Sequence, residues 1–304
     1  MSTQPVIIEN ITTLMERLNL PGPLHPLITL VNYDQTKPDL ADVGSQYLLH
    51  FYKIAFKTRF SGKAKYGPGS YDFREGGLAF VGPHQLVELS SDGAEHEGYA
   101  LFFHPDLLIS YPLAGSIHRY GFFSYSVSEA LYLSEREKKI VESVFEAIDS
   151  ELRTNTDVFS QDVLVSQLEL LLNHCNRFYN RQFLIRKPVH HELIDRMNTY
   201  LTDRFARHQG LATGLPTTQE IADQLKVSPR YLSDMLKSLT GKTTQQHIHL
   251  RLIEKAKELL ARDLLTTADV AFSLGFEHPQ SFNKFFRQKT GSSPTAFRKA
   301  FTDQ

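Results

Sequence analysis

The segment Thr217-Thr218-Gln219-Glu220-Ile221-Ala222, then Leu225, Val227-Ser228-Pro229, Leu232, Met235-Leu236-Lys237 and Thr240-Gly241, decides the fold of this chain because it is written twice. The second copy reads Thr267-Ala268-Asp269-Val270-Ala271, then Leu274-Gly275-Phe276, Pro279, Phe282, Phe285-Phe286-Arg287 and Thr290-Gly291. Ile221 and Val270 lie 49 residues apart and Leu232 and Phe282 lie 50 apart, so one residue is inserted at the turn. A repeat of that period marks a supersecondary unit, and two copies make a tandem rather than a solenoid.

Each copy has the logic of a helix-turn-helix. A short helix starts at a threonine cap with an acid, Glu220 or Asp269, in its first turn. After a turn, a second helix opens with proline, whose missing N–H costs nothing there, and stops at a glycine suited to a left-handed cap. Leu232, Met235, Leu236 and Leu239 recur at helical spacing in one copy, as do Phe282, Phe285 and Phe286 in the other. That leaves polar faces of Arg230, Ser233, Asp234 and Lys237, and of Gln280, Asn283, Lys284 and Arg287. The major groove admits such a helix.

The order Leu250-Arg251-Leu252-Ile253-Glu254-Lys255-Ala256-Lys257-Glu258-Leu259-Leu260, Asp269-Val270-Ala271, Gly275-Phe276, Ser281 to Arg287 and Gly291-Ser292-Ser293-Pro294 resembles the AraC/XylS family of bacterial transcription regulators. The resemblance covers about the last hundred residues. It implies two helix-turn-helix units, about 217–241 and 267–291, joined by a linker helix of about 244–262. It also implies double-stranded DNA as a partner, RNA polymerase as another, activation as the usual role, and a bacterial cytoplasmic, nucleoid-associated location. Carried over by position, base readers fall on Arg230, Ser233 and Asp234, with Pro229, in the first unit, and on His278, Gln280, Asn283 and Lys284, with Pro279, in the second. Gln280 and Asn283 suit adenine edges, Arg230 and Lys284 guanine. Asp234 departs from the pattern: it accepts from cytosine or weakens the first unit. Lys237, Lys242, Arg287, Lys289 and Arg298 suit phosphates.

Charge agrees. The chain of 304 residues carries a formal net charge of −1, but from Thr213 onward it holds 13 Lys and Arg against 9 Asp and Glu, leaving 20 against 25 before that point. The stretch from Lys284 to Lys299 has five cations and no acid, which supports phosphate contact when laid on a recognition helix. The length suits two domains. A single cysteine, Cys175, excludes an internal disulfide framework and suits a reducing compartment. No apolar run approaches the roughly 20 residues of a membrane span, and no secretory signal is evident.

The predicted fold class is therefore two-domain: a mainly β, cupin-like N-terminal barrel followed by a helix pair, then an all-α double helix-turn-helix. Residues 1–181 hold an irregular proline-containing arm, the barrel and the helix pair; 182–190 read as a linker; 191–304 form the DNA-binding domain. From Gln46 to Thr58 the sequence alternates as a strand, with Leu48, His50, Tyr52, Ile54 and Phe56 inward and Lys53 and Lys57 outward. Glycine-rich turns then separate short apolar pieces, as in a small antiparallel barrel or sandwich. The barrel reading is what the family commonly carries at this position.

A barrel interior suits one small-molecule effector. His50, Tyr52, Arg74, His84 and Tyr99 are its candidate polar contacts; a histidine or tyrosine in a barrel is more usually core or rim. No metal or cofactor is expected: His84, His96 and His104 are scattered, and His247-Ile248-His249 lies on a helix, where residues two apart diverge.

Ser134-Glu135-Arg136-Glu137 is a capping box opening the first of the paired helices. In the second, about Asp157 to Arg181, Leu164, Leu168, Leu171, Cys175 and Phe178 are spaced as a heptad seam, which predicts a homodimer contact unless it packs on its own domain. Two other classes compete with a regulator. One is a metal-dependent cupin enzyme with an accessory helical domain, which lacks a ligand motif and a nucleophile constellation. The other is a protein-docking module, which would not need a basic polar face on both copies.

Overall fold

The computed structural model describes residues 5–33, 46–60, 63–66, 69–72, 77–88, 96–126, 129–154, 157–185, 187–206, 214–261 and 265–302. The chain divides into two compact units, Met1–Gln182 and Phe183–Gln304.

The first unit begins with β1 (Val6–Ile8), α1 (Ile11–Arg17) and β2 (Ile28–Asn32), so the described part of the expected arm, residues 5–33, holds regular elements. Asn10 caps α1 through Thr13 N, and Ile11, Leu14 and Met15 go into the core. β3 (Gln46–Leu49) pairs with β1 and with β8 (Gln85–Glu88). A second, antiparallel sheet has the order β10-β7-β4-β9-β2, from β4 (Tyr52–Phe60), β7 (Gly77–Val81), β9 (His96–Phe103) and β10 (Leu131–Tyr132). β5 (Lys63–Tyr66) and β6 (Gly69–Asp72) form a third ladder. The unit is β-rich, as expected, but the described strands make three open ladders rather than one closed barrel.

The reason is a corner. The single strand expected from Gln46 to Thr58 breaks at His50-Phe51, where the chain leaves the three-stranded sheet for the five-stranded one. The break also changes which side chains point inward. Tyr47, Leu49 and Phe51 join Val31, Val81, Val87, Ala100 and Phe102 in a core cluster. Lys53 and Lys57, expected outward, are 7% and 4% exposed. Their ammonium groups lie 5.7 Å from the Phe102 ring centre and 6.0 Å from that of Tyr33. Ile54 and Phe56 are buried on the other face, where Phe56 meets Phe145 at 5.8 Å. Both faces of β4 are covered, so polarity alternation does not report its orientation.

The short α2 (Pro112–Ser116) follows β9, and Phe145 belongs to α3 (Glu135–Arg153), which opens with the predicted capping box of Ser134 and Glu137. α4 (Ser160–Ile185) follows. Its seam of Leu164, Leu168, Leu171, Cys175 and Phe178 is at most 4% exposed within the single chain. Side chains fasten the same helix to earlier segments: Gln161 donates to Leu107 O, Tyr111 to Asp162, Tyr120 to Asn173, and Arg181 to Tyr132 O. The seam is intramolecular core, which corrects the dimer assignment of those five residues. Over the expected linker at 182–190, α4 runs to Ile185 and α5 (Lys187–Ala206) starts two residues later.

The second unit continues with α6 (Thr218–Leu225), α7 (Pro229–Thr240), α8 (Thr244–Ala261), α9 (Thr267–Ser273), α10 (Pro279–Thr290) and α11 (Pro294–Thr302). α8 buries Ile248, Leu252, Ala256, Leu259 and Leu260 along one stripe. It touches α5, α7, α9, α10 and α11, so it is the spine on which both helix pairs pack.

Candidate nucleic-acid interface

Local sequence chemistry fixes each pair of short helices. Thr217 caps α6 through Glu220 N. Thr266, one residue before the expected position, caps α9 in a reciprocal box with Asp269. The hydrogen bonds from Thr266 hold the Asp269 carboxyl below its ordinary range. α7 and α10 both begin with proline and stop at left-handed glycines, Gly241 and Gly291. The turns differ. In the first, Lys226 takes the left-handed conformation at φ 58°; in the second, Gly275 has φ 99°.

The two second helices bury their apolar sides and present their polar ones. Tyr231, Leu232, Met235 and Leu236 are buried on α7, and Phe282 and Phe286 on α10. Arg230 and Lys237 are exposed, while Ser233 and Asp234 are half-buried. His278, Gln280, Asn283, Lys284, Arg287 and Lys289 are all exposed, and so is Lys242. All twelve expected DNA-facing residues therefore keep some access to solvent. Arg298 also donates Nη2 to Leu265 O at 2.6 Å, which fastens α11 to the segment before α9.

The faces are chemically unequal. Arg230 Nε lies 2.9 Å from Asp234 Oδ2, one turn along α7. The equivalent places on α10 hold Gln280 and Lys284. Ser228 caps α7 through Tyr231 N, whereas His278 makes no side-chain cap on α10. Behind α7, buried His190 places Nδ1 2.9 Å from Phe183 O and Nε2 3.2 Å from the Tyr231 hydroxyl. Arg204 and Tyr200 both hold Glu220 on α6. Residue spacing gave no sign of the His190–Tyr231 contact, which joins residues 41 positions apart.

His247 and His249 go separate ways, as their i, i+2 spacing requires. His247 Nε2 meets Thr240 Oγ1 at 2.8 Å; His249 Nε2 meets Gln245 Nε2 at 3.0 Å and stacks edge-on against Phe285. Burial, then Lys242 and Arg251, lowers the affinity of His247 for a proton, and burial, then Lys289, does so for His249.

The expected effector contacts are not gathered in one place. His50 and His84 meet edge-to-face at 4.6 Å at the sheet-switching corner. Tyr52 stacks on Phe103 at 4.8 Å, and burial there raises the phenol above its ordinary range. Arg74 lies outside the described residues. Tyr99 is the member of the set that lines a cavity of about 180 Å³, with Leu30, Asn32, Phe145, Glu146, Asp149 and Arg153. Its three polar α3 residues, Glu146, Asp149 and Arg153, were missed, although their 3- and 4-residue spacing places them on one helix face. Among the described residues, no three His, Cys, Asp or Glu side chains cluster at metal-binding distance, and no helix is long and apolar enough to cross a membrane.

A helix-turn-helix domain model matches residues 221–300. The transcriptional activator RhaS of Klebsiella pneumoniae is 28% identical over 155 residues, 51% of this chain and 50% of that protein. The transcriptional activator RhaR of Pectobacterium atrosepticum is 36% identical over 83 residues, 27% of this chain and 29% of that one. The chain thus spans about half of RhaS and less than a third of RhaR. Among solved structures, the C-terminal domain of the response regulator AraT from Geobacillus stearothermophilus is 27% identical, covering 36% of this chain and 84% of that one with a TM-score of 0.31.

Proposed function

We propose that this chain, whose C-terminal unit carries a helix-turn-helix domain of the AraC type, is a sequence-specific DNA-binding transcription regulator. One observation carries the reading: two equivalent helices, α7 and α10, each bury an apolar side and offer a polar side of groove-reading residues. Bases are met by Arg230 and Ser233 in the first unit and by His278, Gln280, Asn283 and Lys284 in the second, with Lys237, Lys242, Arg287 and Lys289 on phosphates. Activation is the role we assign, supported by the names of RhaS and RhaR as transcriptional activators; RNA polymerase as partner and a bacterial cytoplasmic setting follow from the resemblance to the AraC/XylS family. That reading displaces a metal-dependent cupin enzyme.

Control by a small molecule belongs to the first unit in this account. The cavity beside Tyr99, with carboxylates, an amide and a guanidinium over the apolar floor of Leu30 and Phe145, has the mixture a small-molecule site requires. A ligand there acts only through different affinity for two arrangements of the protein. The homodimer is assigned to the outer side of α4, where Val163 and Leu170 are 37% and 49% exposed. Selection of bound duplexes from random DNA, with and without metabolite extract, tests the whole reading. Recovery of one sequence class that extract strengthens or weakens is the expected result.

A further inference from the structure

Asp234 stands on a helix face proposed to meet a polyanion, where a carboxylate repels phosphate. The structure gives it a partner instead: its Oδ2 accepts from Arg230 Nε at 2.9 Å. Helix stability does not explain this pair. Arg230 lies in the first turn of α7, where the helix dipole disfavours a cation, and the order cation then acid is the poorer arrangement at i, i+4. An exposed pair of this kind adds little to stability, and side-chain exposures of 45% and 28% put both partners at the surface.

The pair makes sense as a way of holding the arginine. A free arginine samples many rotamers and must give them up on meeting DNA. A carboxylate on Nε fixes the guanidinium plane beforehand and leaves both terminal amino groups outside that bond. Those two groups are the ones that bridge guanine O6 and N7. The first turn of a recognition helix is also the part that reaches base edges. We infer that Asp234 is a positioning residue: it holds Arg230 for bidentate reading of one guanine in the segment met by α7. The second unit has no such pair, since Gln280 and Lys284 stand at the equivalent places. The operator therefore carries its arginine-read guanine on the first unit's side only. This inference rests on the DNA-reading function proposed above.

The test uses the full chain and selection from random duplex DNA by the wild type and by Asp234→Ala, Asp234→Asn, Arg230→Ala and the double alanine variant. The wild type is expected to select one guanine that Arg230→Ala loses, a discrimination of roughly 5- to 150-fold. Asp234→Ala loses preference at that same position while binding random duplex as well as the wild type or better, because an acid has left the interface. Asp234→Asn, which keeps an acceptor for Nε, retains the preference. The double variant binds random duplex more tightly than Arg230→Ala, which keeps an acid on that face. Guanine preference intact in Asp234→Ala overturns the inference. So does loss of a cytosine at another position, which would make Asp234 a direct reader. A wild type that enriches no sequence overturns the regulator reading itself, and this inference with it.

Discussion

The imidazole of His190 bridges Phe183 and Tyr231: Nδ1 lies 2.9 Å from the Phe183 carbonyl and Nε2 lies 3.2 Å from the Tyr231 hydroxyl, with the ring 1% exposed. A carbonyl only accepts, so Nδ1 carries a proton, and in the neutral ring Nε2 then accepts from the phenol. The bridge backs the first turn of α7 from inside the second unit. His190→Ala leaves two buried polar groups without this partner, at about 1–3 kcal/mol each. We predict a loss of about 2–6 kcal/mol in the unfolding free energy of the second unit, read by urea titration. Tyr231→Phe removes one bond of the two and should cost less than His190→Ala. Equal stability of all three proteins would remove the bridge from the account.

Lys226 and Gly275 occupy equivalent turn positions 49 residues apart, and both have positive φ. They should respond in opposite ways. At Gly275 an added Cβ runs into the carbonyl oxygen of Gly214, which is backbone and has little room to yield. Gly275→Ala should therefore lower the melting temperature of the second unit markedly. Lys226→Gly relieves a left-handed side-chain residue that costs about 1 kcal/mol, so it should leave stability level or slightly raised. Similar outcomes for both variants would contradict the turn assignment.

Acid should loosen the second unit through its linker helix. Native His247 and His249 take up a proton less readily than in the unfolded chain, burial being the first cause in both. The unfolded state then binds protons first as pH drops below about 6.5. Stability contributed by the neutral rings is whole above that value and falls as pH descends towards the lowered native values. Urea midpoints measured from pH 7.5 to 5.5 should decline, and His247→Gln should flatten the decline. A midpoint that rises on acidification in the wild type, or an unaltered decline in the variant, would contradict the assignment.

On α4, the inner and outer faces give separable results. Leu168 and Leu171 are fully buried in the first unit, so an alanine at either should cost about 2–5 kcal/mol. Val163→Glu with Leu170→Glu should spare the fold and halve the sedimentation mass if the outer face joins two copies. An unchanged mass removes that face as the contact. Burial holds the Cys175 thiol in its protonated form, so it should resist thiol reagents until the unit unfolds.

The second unit was legible in the sequence because its signals are local and redundant. Caps at Thr217 and Ser228, proline at 229 and 279, and glycine at 241 and 291 each fix a helix end by short-range chemistry. The first unit was not. Lys53 and Lys57 read as outward because ammonium groups are normally solvated, yet a strand between two packed layers buries both faces. The α4 heptad is the same pattern whether it faces its own sheet or another chain, and only the contacts decide. Asp234 looked anomalous until its distance to Arg230 was known. His190, Glu146, Asp149 and Arg153 carry ordinary surface chemistry, and their roles come from residues far away in the chain.

The claim on which the rest depends is that α7 and α10 together read duplex DNA. Its most direct measurement is fluorescence-anisotropy titration of the full chain against a selected duplex and a random one at several salt concentrations, with Lys284→Ala alongside. The account predicts binding to the selected duplex at least about 10³-fold tighter and affinity falling linearly with salt on logarithmic axes. It also predicts that Lys284→Ala costs ~1–3 kcal/mol, with preference relaxed at one position. Equal, salt-independent affinity for both duplexes, unaffected by Lys284→Ala, would contradict it.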